Sequence, residues 1–375
     1  PLALEGYGII YNKDLFKQAG IEEIPTTLSE LREDCEKLEA AGMNGKLMFW
    51  IILAAFYVSY LIEVIIHEAG HMVMGMLTGY EFLSFRIGSF TIMKENGRLV
   101  RKKFSIPGTA GQCLLSPKET DSPEDLPFFW YHFGGVFFNL LTGGIALLPM
   151  LLSDNVWVVS VSAGFVSAAL LTALTNGIPM KTNMALNDGY NIVQMMKNPA
   201  VRKAVYRSFT GNARLYRGER LEDMQDLCLA SDEEKNTCHG TGLLLTEGTL
   251  YLYLHQFDRA EDIFRSVAEN EAAVGLYQRE AKCELLFCLL MRGGEQAEIA
   301  GLYDKELQQY VRSTGKTMIT RKRLMYAYYL KAEKSPEKAQ AEYESALKME
   351  KTYPAKGEYL SEMDLINYIK SENII

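Results

Sequence analysis

This 375-residue sequence has few cysteines, few histidines and no excess of positive charge. Each of these features excludes a class of protein or restricts a class of site. Six cysteines are scattered without a Cys-x-x-Cys pair, so a disulfide framework is not indicated and a reducing compartment is the simpler interpretation. The formal net charge of −8 leaves no electrostatic footprint for nucleic acid. Any histidine-based metal site must draw on five residues: His67, His71, His132, His239 and His255.

Charge is almost absent from three long apolar stretches. Leu47–Ile66 carries only Glu63, and Phe128–Leu152 and Val156–Leu174 carry no charged residue. About 20 apolar residues cross the hydrocarbon core of a bilayer as a helix. Run length and the missing amphipathic period favour membrane spans over buried helices of a soluble core. We expect spans over about residues 47–78, 128–152 and 156–175.

The polar segment between the first two spans has a β pattern. Phe82–Met93 and Arg98–Ile106 flank Asn96-Gly97, and Asn-Gly between two such runs is a strong hairpin signal. We expect a hairpin over about residues 82–106. Basic residues in this loop and after the third span favour the cytoplasmic side for both, which places the chain before Leu47 outside. These residues are Arg98, Arg101, Lys102, Lys103, Lys181, Lys197, Arg202, Lys203 and Arg207.

Residues 1–46 are polar and predict one helix, opening at Thr27 and continuing to Ala41, with some turns. Pro1–Phe16, Ala19–Ile21 and Pro25–Thr27 together resemble a piece of the solute-binding proteins of bacterial ABC sugar importers. So short a piece cannot bury a useful core, and we do not expect it to bind sugar. We interpret it as a fusion or gene-assembly join with Met48 as a native start. The alternative is an ordinary helical leader.

From about residue 210 the sequence predicts a soluble helical tail. Small and aromatic residues recur there at the spacing of a tetratricopeptide helix pair, and part of the pattern repeats later. The residues are Gly248, Tyr251, Ala260, Phe264, Val267, Ala339, Tyr343 and Ala346. The tail resembles a degenerate tetratricopeptide array, which implies a protein-binding role. A helical bundle without repeat ancestry stays open.

The central motif is His67-Glu68-Ala69-Gly70-His71. On a helix, residues four apart share a face, so His67 and His71 can reach one zinc ion. Glu68 projects beside them, where it can take a proton from water. Two histidines on a helix face without a metal are the plain alternative. Such polar groups in a membrane helix are costly unless they bind something or face a cavity, which favours the metal.

Catalytic zinc needs a third protein ligand. The candidates are the remaining histidines and Asp188, which follows the third span in Leu186-Asn187-Asp188-Gly189. A carboxylate there can return to the metal, and Gly189 allows close backbone approach. The alternative is that Asn-Asp-Gly is simply a turn.

Three motifs in order resemble the site-2 protease family of intramembrane metalloproteases (peptidase family M50) over about residues 48–195. They are His67–His71, Gly134–Asn139, similar to the family's Gly-Pro-x-x-Asn, and Leu186–Gly189, similar to its Leu-Asp-Gly after Asn-x-x-Pro. The resemblance implies zinc held by His67, His71 and Asp188, with Glu68 as general base. It also implies that Asn139 contacts the substrate or the developing oxyanion.

The sequence departs from that family at three points. Val136 replaces the usual proline, Asn187 separates the leucine from Asp-Gly, and Asn176 lies further from Asp188 than is common. One asparagine in a membrane helix also often only bridges helices, which is the alternative for Asn139. Glu63 lies four residues before His67. It could orient a ligand, pair with a basic residue or line a water path, and we favour a structural role.

These observations predict a mainly α protein. Residues 47–200 form a membrane core of three transmembrane helices with a β-hairpin insertion, and residues 210–375 form the helical tail. We expect an integral protein of the bacterial plasma membrane, with its tail cytoplasmic. Its function is zinc-dependent hydrolysis of membrane-spanning or membrane-near peptides, with the bilayer, a peptide substrate and a tail-bound protein as partners. The alternative is a non-catalytic membrane scaffold whose tail binds a partner.

Overall fold

The computed structural model describes residues 13–41, 45–95, 97–105, 109–183, 185–271 and 273–372, with backbone only at residues 45, 46 and 48. The described chain is mostly helical, with a small antiparallel sheet. It divides into two compact units. The first comprises the residues up to Ile62 together with Leu141–Leu170, and the second comprises Glu63–Leu140 and everything from Leu171 onward.

The first unit begins with two short helices, α1 (Lys13–Gln18) and α2 (Leu28–Ala40). The predicted helix start is confirmed: the Thr27 hydroxyl accepts from the Glu30 backbone N–H, and the Glu30 side chain returns to the N-cap backbone. This reciprocal capping satisfies donors that have no partner inside the helix. The start of the predicted solute-binding-protein fragment, residues 1–12, lies outside the described residues, and so does the side chain of Met48.

Among the described residues, three helices are long and apolar enough to cross a membrane: α3 (Gly45–Leu77), α4 (Phe129–Leu152) and α5 (Val156–Gly177). Their apolar ranges, Phe49–Leu77, Pro123–Leu152 and Val156–Gly177, agree with the predicted spans to within a few residues. Large apolar side chains on all three helices are exposed, as a lipid-facing surface requires; Leu152 is 81% exposed. The helices therefore indicate membrane association.

The segment between α3 and α4 forms one four-stranded sheet rather than a single hairpin. Its strands are β1 (Glu81–Ile87), β2 (Phe90–Glu95), β3 (Arg98–Lys103) and β4 (Gly111–Ser116), in the order β3-β2-β1-β4. The predicted hairpin is the β2–β3 pair, in which Glu95 faces Arg98 across the turn; Asn96 lies outside the described residues. The predicted run Phe82–Met93 is two strands, because the chain reverses at Gly88, whose φ of +56° suits glycine.

The second unit continues after α5 with twelve helices among the described residues. They are α6 (Asp188–Lys197), α7 (Pro199–Arg217), α8 (Gln225–Cys228), α9 (Asp232–Lys235), α10 (Gly240–Tyr253), α11 (Phe257–Ala268), α12 (Gly275–Arg292), α13 (Gln296–Leu302), α14 (Lys305–Thr314), α15 (Ile319–Lys331), α16 (Pro336–Met349) and α17 (Lys356–Glu372).

The tail has its own apolar core, to which α10, α11, α12, α15 and α17 all contribute. Helices adjacent in sequence pack together: α10 on α11, α11 on α12, and α15 on α16. Gly248 of α10 lies against the Phe264 ring, where a Cβ would come within 2.7 Å of it. Two residues of the predicted repeat pattern are therefore in contact across a helix pair.

Candidate metal centre

The last third of α3 carries His67 and His71 side by side, as the four-residue spacing predicts. The Nε2 atoms of the two rings lie 3.1 Å apart, and both residues are buried. The two ring planes are perpendicular, so the rings meet edge to edge at these nitrogens. Both imidazoles thus direct the same atom toward one point.

The other ring nitrogens of these histidines are held by oxygen atoms of α4. His67 Nδ1 donates to the Asn139 carbonyl Oδ1 at 2.7 Å, and His71 Nδ1 donates to the Tyr131 backbone carbonyl at 2.8 Å. Because an imidazole that donates from Nδ1 carries a lone pair at Nε2 when neutral, these contacts fix the tautomer of both rings. Both inward-facing nitrogens are then acceptors.

Asp188, at the first turn of α6, adds a third acceptor to the same point. Its Oδ2 lies 3.1 Å from His67 Nε2 and 3.4 Å from His71 Nε2. His67, His71 and Asp188 form the one group of three or more histidine, cysteine or acidic residues within the described chain that is close enough to hold a metal ion. The structure therefore brings together the three residues predicted as ligands.

The donor set fits zinc in chemistry and in spacing. Two imidazole nitrogens and a carboxylate oxygen are usual zinc ligands, bound at about 2.0–2.2 Å, so tetrahedral ligand atoms lie roughly 3.3 Å apart. The separations here are 3.1, 3.1 and 3.4 Å. The histidines also hydrogen-bond to the Asp188 carboxylate, so a bound cation would take the place of their protons.

The residues between α5 and α6 form a compact loop that returns Asp188 to α3. Lys181 and Leu186 pair as an antiparallel bridge, and the Asn187 backbone N–H donates to the Met180 carbonyl. This local reversal accommodates the unusually long interval between Asn176 and Asp188. Asn176 itself donates to the Thr172 carbonyl of its own helix.

Asn187, the residue that separates Leu186 from Asp-Gly, fixes the position of the loop. Its side-chain oxygen accepts from the backbone N–H groups of Tyr190 and Met180, and its amide donates to the Thr175 and Ile178 carbonyls. It thus caps α6 and ties that cap to the end of α5. The departure from the family pattern supplies an N-cap directly before the predicted ligand.

Glycines allow the close helix contacts around the site. A Cβ at Gly70 would lie 2.3 Å from the Gly134 carbonyl oxygen, and one at Gly189 would lie 2.1 Å from the Gly177 carbonyl oxygen. Glycine is therefore required for α3 to meet α4 and for α6 to meet α5 at these distances. Val136, which stands where the family has proline, packs against Gly177.

Glu63 and Asn139 form a buried chain that ends at His67. The Asn139 amide donates to the Glu63 carboxylate and, at 3.0 Å, to the Glu63 backbone carbonyl. With its amide engaged there, Asn139 presents its carbonyl oxygen to His67. Glu63 therefore acts on the ring through Asn139, and in this arrangement Asn139 lies on the Nδ1 side of His67. The predicted contact of Asn139 with substrate stays a prediction.

Glu68 is half-buried between the cluster and the edge strand β4. It lies against Gly111, where a Cβ would come within 2.8 Å of its Cγ, and near the Cys113 backbone. In the described sheet β4 pairs only with β1, so it is an edge strand. An unpaired edge presents backbone donors and acceptors to an extended chain.

His132, one of several histidines that the sequence offers as a third ligand, joins the site. Its Nδ1 lies 3.5 Å from Asp188 Oδ1, which is the carboxylate oxygen that does not face His67. The available signal was its position seven residues before Asn139, which places both on one face of α4. The two remaining histidines lie elsewhere: His239 contacts Asn191, and His255 packs on Tyr368.

The three histidines set the charge of Asp188. Burial would raise the pKa of this carboxyl group, but the facing His71 and the contacts with His132 and His67 hold it well below its usual range. Asp188 is therefore an ionised carboxylate at neutral pH, which is the form that binds a metal ion.

Comparison with known families finds a similarity in the N-terminal part of the chain. Residues 1–62 match the family of bacterial extracellular solute-binding proteins. The match extends past the predicted limit at residue 46 and past Met48 into α3, and it ends before Glu63. Comparison with the curated proteins and with the solved structures finds no match.

Proposed function

We propose that this protein is an intramembrane zinc endopeptidase, similar to the site-2 proteases, in which His67, His71 and Asp188 hold the metal. The observation that carries the proposal is the convergence of three acceptor atoms from α3 and α6 within 3.4 Å of one another. Both imidazoles are held through their outer nitrogens, as metal-binding histidines usually are.

A zinc ion in such a site supplies Lewis acidity toward a peptide carbonyl and makes water more acidic. Glu68 is the group placed to move the proton, because it adjoins both histidines on α3 and lies against Gly111 of β4. As general base it takes a proton from the attacking water, and as general acid it delivers that proton to the leaving amine.

The remaining polar residues position the ligands. Glu63 and Asn139 fix the His67 ring, the Tyr131 carbonyl fixes His71, and His132 contacts the outer oxygen of Asp188. Such outer partners orient ligands and raise their basicity.

A peptide is the substrate class that the surroundings favour. The unpaired edge of β4 lies beside Glu68 and suits main-chain pairing with an extended segment. His67 lies about 20 residues into an apolar helix, or roughly 30 Å along its axis. The site then lies near one face of the bilayer core, and a transmembrane substrate must unwind there to reach it.

For the remainder of the chain, we propose a cytoplasmic tail built from tetratricopeptide-like helix pairs. The contact of Gly248 with Phe264, and the burial of Ala260, Ala339 and Ala346, support the repeat pattern. The basic residues that follow the third span support the cytoplasmic location.

The test uses full-length protein reconstituted in liposomes with a labelled membrane-spanning peptide. Wild-type protein is expected to contain stoichiometric zinc and to cleave the peptide. Glu68→Gln should retain the zinc and lose cleavage by at least about a hundredfold, because general acid–base catalysis contributes about 10²–10⁴-fold. Glu337→Gln, an exposed residue at the start of α16, is the matched control and should behave as wild type.

Two outcomes contradict the proposal. If Glu68→Gln cleaves the peptide at the wild-type rate, Glu68 is not the general base. Wild-type protein that neither binds zinc nor cleaves would instead support the alternative, a non-catalytic membrane scaffold.

A further inference from the structure

A cavity of about 820 Å³ lies in the helical tail, apart from the metal centre. Its walls are mainly apolar, with leucines and the rings of Tyr253, Tyr277 and Tyr310. Cavities of this size hold a peptide segment or a drug-sized molecule.

Acidic groups dominate the charge of this cavity. Four glutamates line it, against one arginine, Arg279. The four are Glu280, Glu284, Glu306 and Glu358.

Buried arginines behind the wall offset only part of this charge. Arg321 pairs with Glu280 and Glu284, and Arg323 pairs with Glu284 and Glu362. The cavity and its supporting cluster thus hold five carboxyl groups and three guanidinium groups. Carboxyl groups therefore outnumber guanidinium groups, and a cationic ligand is favoured because it can pair with the exposed Glu306 and with Glu358 once that group ionises.

Glu358 shows this imbalance most clearly. Burial and the adjacent Glu362 carboxyl raise the pKa of Glu358 to about 8, even though Tyr353 hydrogen-bonds to it. A carboxyl group in this state ionises readily when a cation arrives beside it.

Two further lining residues connect the cavity to the metal centre. Thr109 lies two residues before Gly111, which packs on Glu68, and Ala185 lies three residues before Asp188. A peptide that leaves the cavity at this end therefore meets the loops that lead to β4 and α6.

We propose that this cavity binds the basic juxtamembrane segment of the substrate, with lysine or arginine side chains on its glutamates and apolar side chains on its walls. The inference rests on the proposed function. Membrane proteins carry an excess of lysine and arginine in the cytoplasmic loops next to their spans. An acidic cavity in a cytoplasmic tail is complementary to that feature, so charge selects the substrate before the span reaches the zinc site.

Binding is tested separately from cleavage. The full-length protein in zwitterionic micelles is titrated against a fluorescent synthetic peptide in which lysines alternate with leucines, with micelles alone as blank. A peptide with glutamate in place of lysine is the charge control. The lysine peptide should bind at least tenfold more tightly than the glutamate peptide, and added salt should weaken its binding.

Two variants locate the site. Glu306→Gln, at an exposed position on the rim, and Glu306→Gln/Glu358→Gln should weaken binding of the lysine peptide, the double variant by about tenfold or more. Glu337→Gln removes one charge from the same tail outside the cavity and should leave binding unchanged. Because Glu306 is exposed, its single variant tests the site even if the double variant unfolds.

The outcomes distinguish this inference from the proposed function. Equal binding of both peptides, or unchanged binding by both cavity variants, overturns the cavity assignment, whatever the zinc site does. Selective, cavity-dependent binding that Glu68→Gln and zinc chelation leave unaltered supports it, and it would do so even if no cleavage were found.

Discussion

A methyl group at Gly135 would lie 2.5 Å from Cε1 of His67. A Cβ atom essentially never comes within 3.0 Å of another heavy atom, so the His67 ring occupies the space that glycine leaves on α4. The Gly-Gly pair of the predicted motif thus has two separate roles. Gly134 lets α3 and α4 approach, and Gly135 makes room for the predicted ligand.

Gly135→Ala should therefore displace His67 without unfolding the protein. We expect zinc affinity to fall by about 10–100-fold, as for loss of an orienting partner, and overpacking to cost about 1–3 kcal/mol. Gly144→Ala on the same helix is the matched control, because a Cβ there has no neighbour within 4 Å. Zinc titration measures the affinity of both variants, and equal affinities would show that Gly135 does not make room for His67.

Asp188→Asn removes the charge of the third predicted ligand while keeping its shape. Zinc affinity should fall by more than the roughly 10–100-fold that loss of an outer partner costs. The variant of the neighbouring cap residue, Asn187→Ser, keeps a capping side chain and should retain more zinc. Metal analysis after dialysis against a chelator measures both, and full zinc retention by Asp188→Asn would place the third ligand elsewhere.

Asn139→Ala tests whether this residue positions His67. We expect weaker zinc binding, by about 10–100-fold, because His67 Nδ1 loses its acceptor and the buried Glu63 loses a donor. The cleavage rate at saturating zinc separates a positioning role of Asn139 from direct contact with the substrate. A rate restored by added zinc supports positioning, and a rate that stays low supports the predicted contact with substrate. Asn155→Ala, at the start of α5, is the control.

Glu358 should make the stability of the protein depend on pH. Its pKa is raised to about 8 from an ordinary 4.5, so between these values the folded state keeps a proton that the unfolded chain has lost. Stability contributed by this group must then fall as pH rises through that window, by up to about 1.4 kcal/mol per pH unit. The groups that face it are Tyr353, Glu362, Glu280, Glu284, Tyr216 and Tyr253.

Glu358→Gln should reduce the fall in stability between pH 4.5 and 8, and near pH 8 it should be more stable than the wild type. Thermal unfolding of the wild type and the variant between pH 4.5 and 8 measures the difference. Glu337→Gln should keep the wild-type slope. If the difference between wild type and Glu358→Gln does not change with pH, the carboxyl group is already ionised in the folded protein.

Local pattern determined the elements of this protein. The missing charge in three stretches gave three helices of spanning length, because the length and apolar composition of a run decide whether a helix can cross a bilayer. The four-residue spacing of His67 and His71 gave two rings on one face, and the capping pattern at Thr27 gave the start of α2. The sheet was only partly predicted, since β4 lies in a segment with no alternating signal and pairs at a distance with β1.

Tertiary structure decided which distant residues meet. Spacing places His132 on the same face of α4 as Asn139, but it does not indicate that His132 reaches Asp188. Nor does it indicate that Glu63 acts through Asn139 or that Gly111 lies on Glu68, since each contact joins separate segments of the chain. The acidic cavity of the tail depends in the same way on helices remote in sequence. The sequence alone therefore determined the candidate ligands, because their chemistry is local, whereas only packing decided what holds them and what surrounds them.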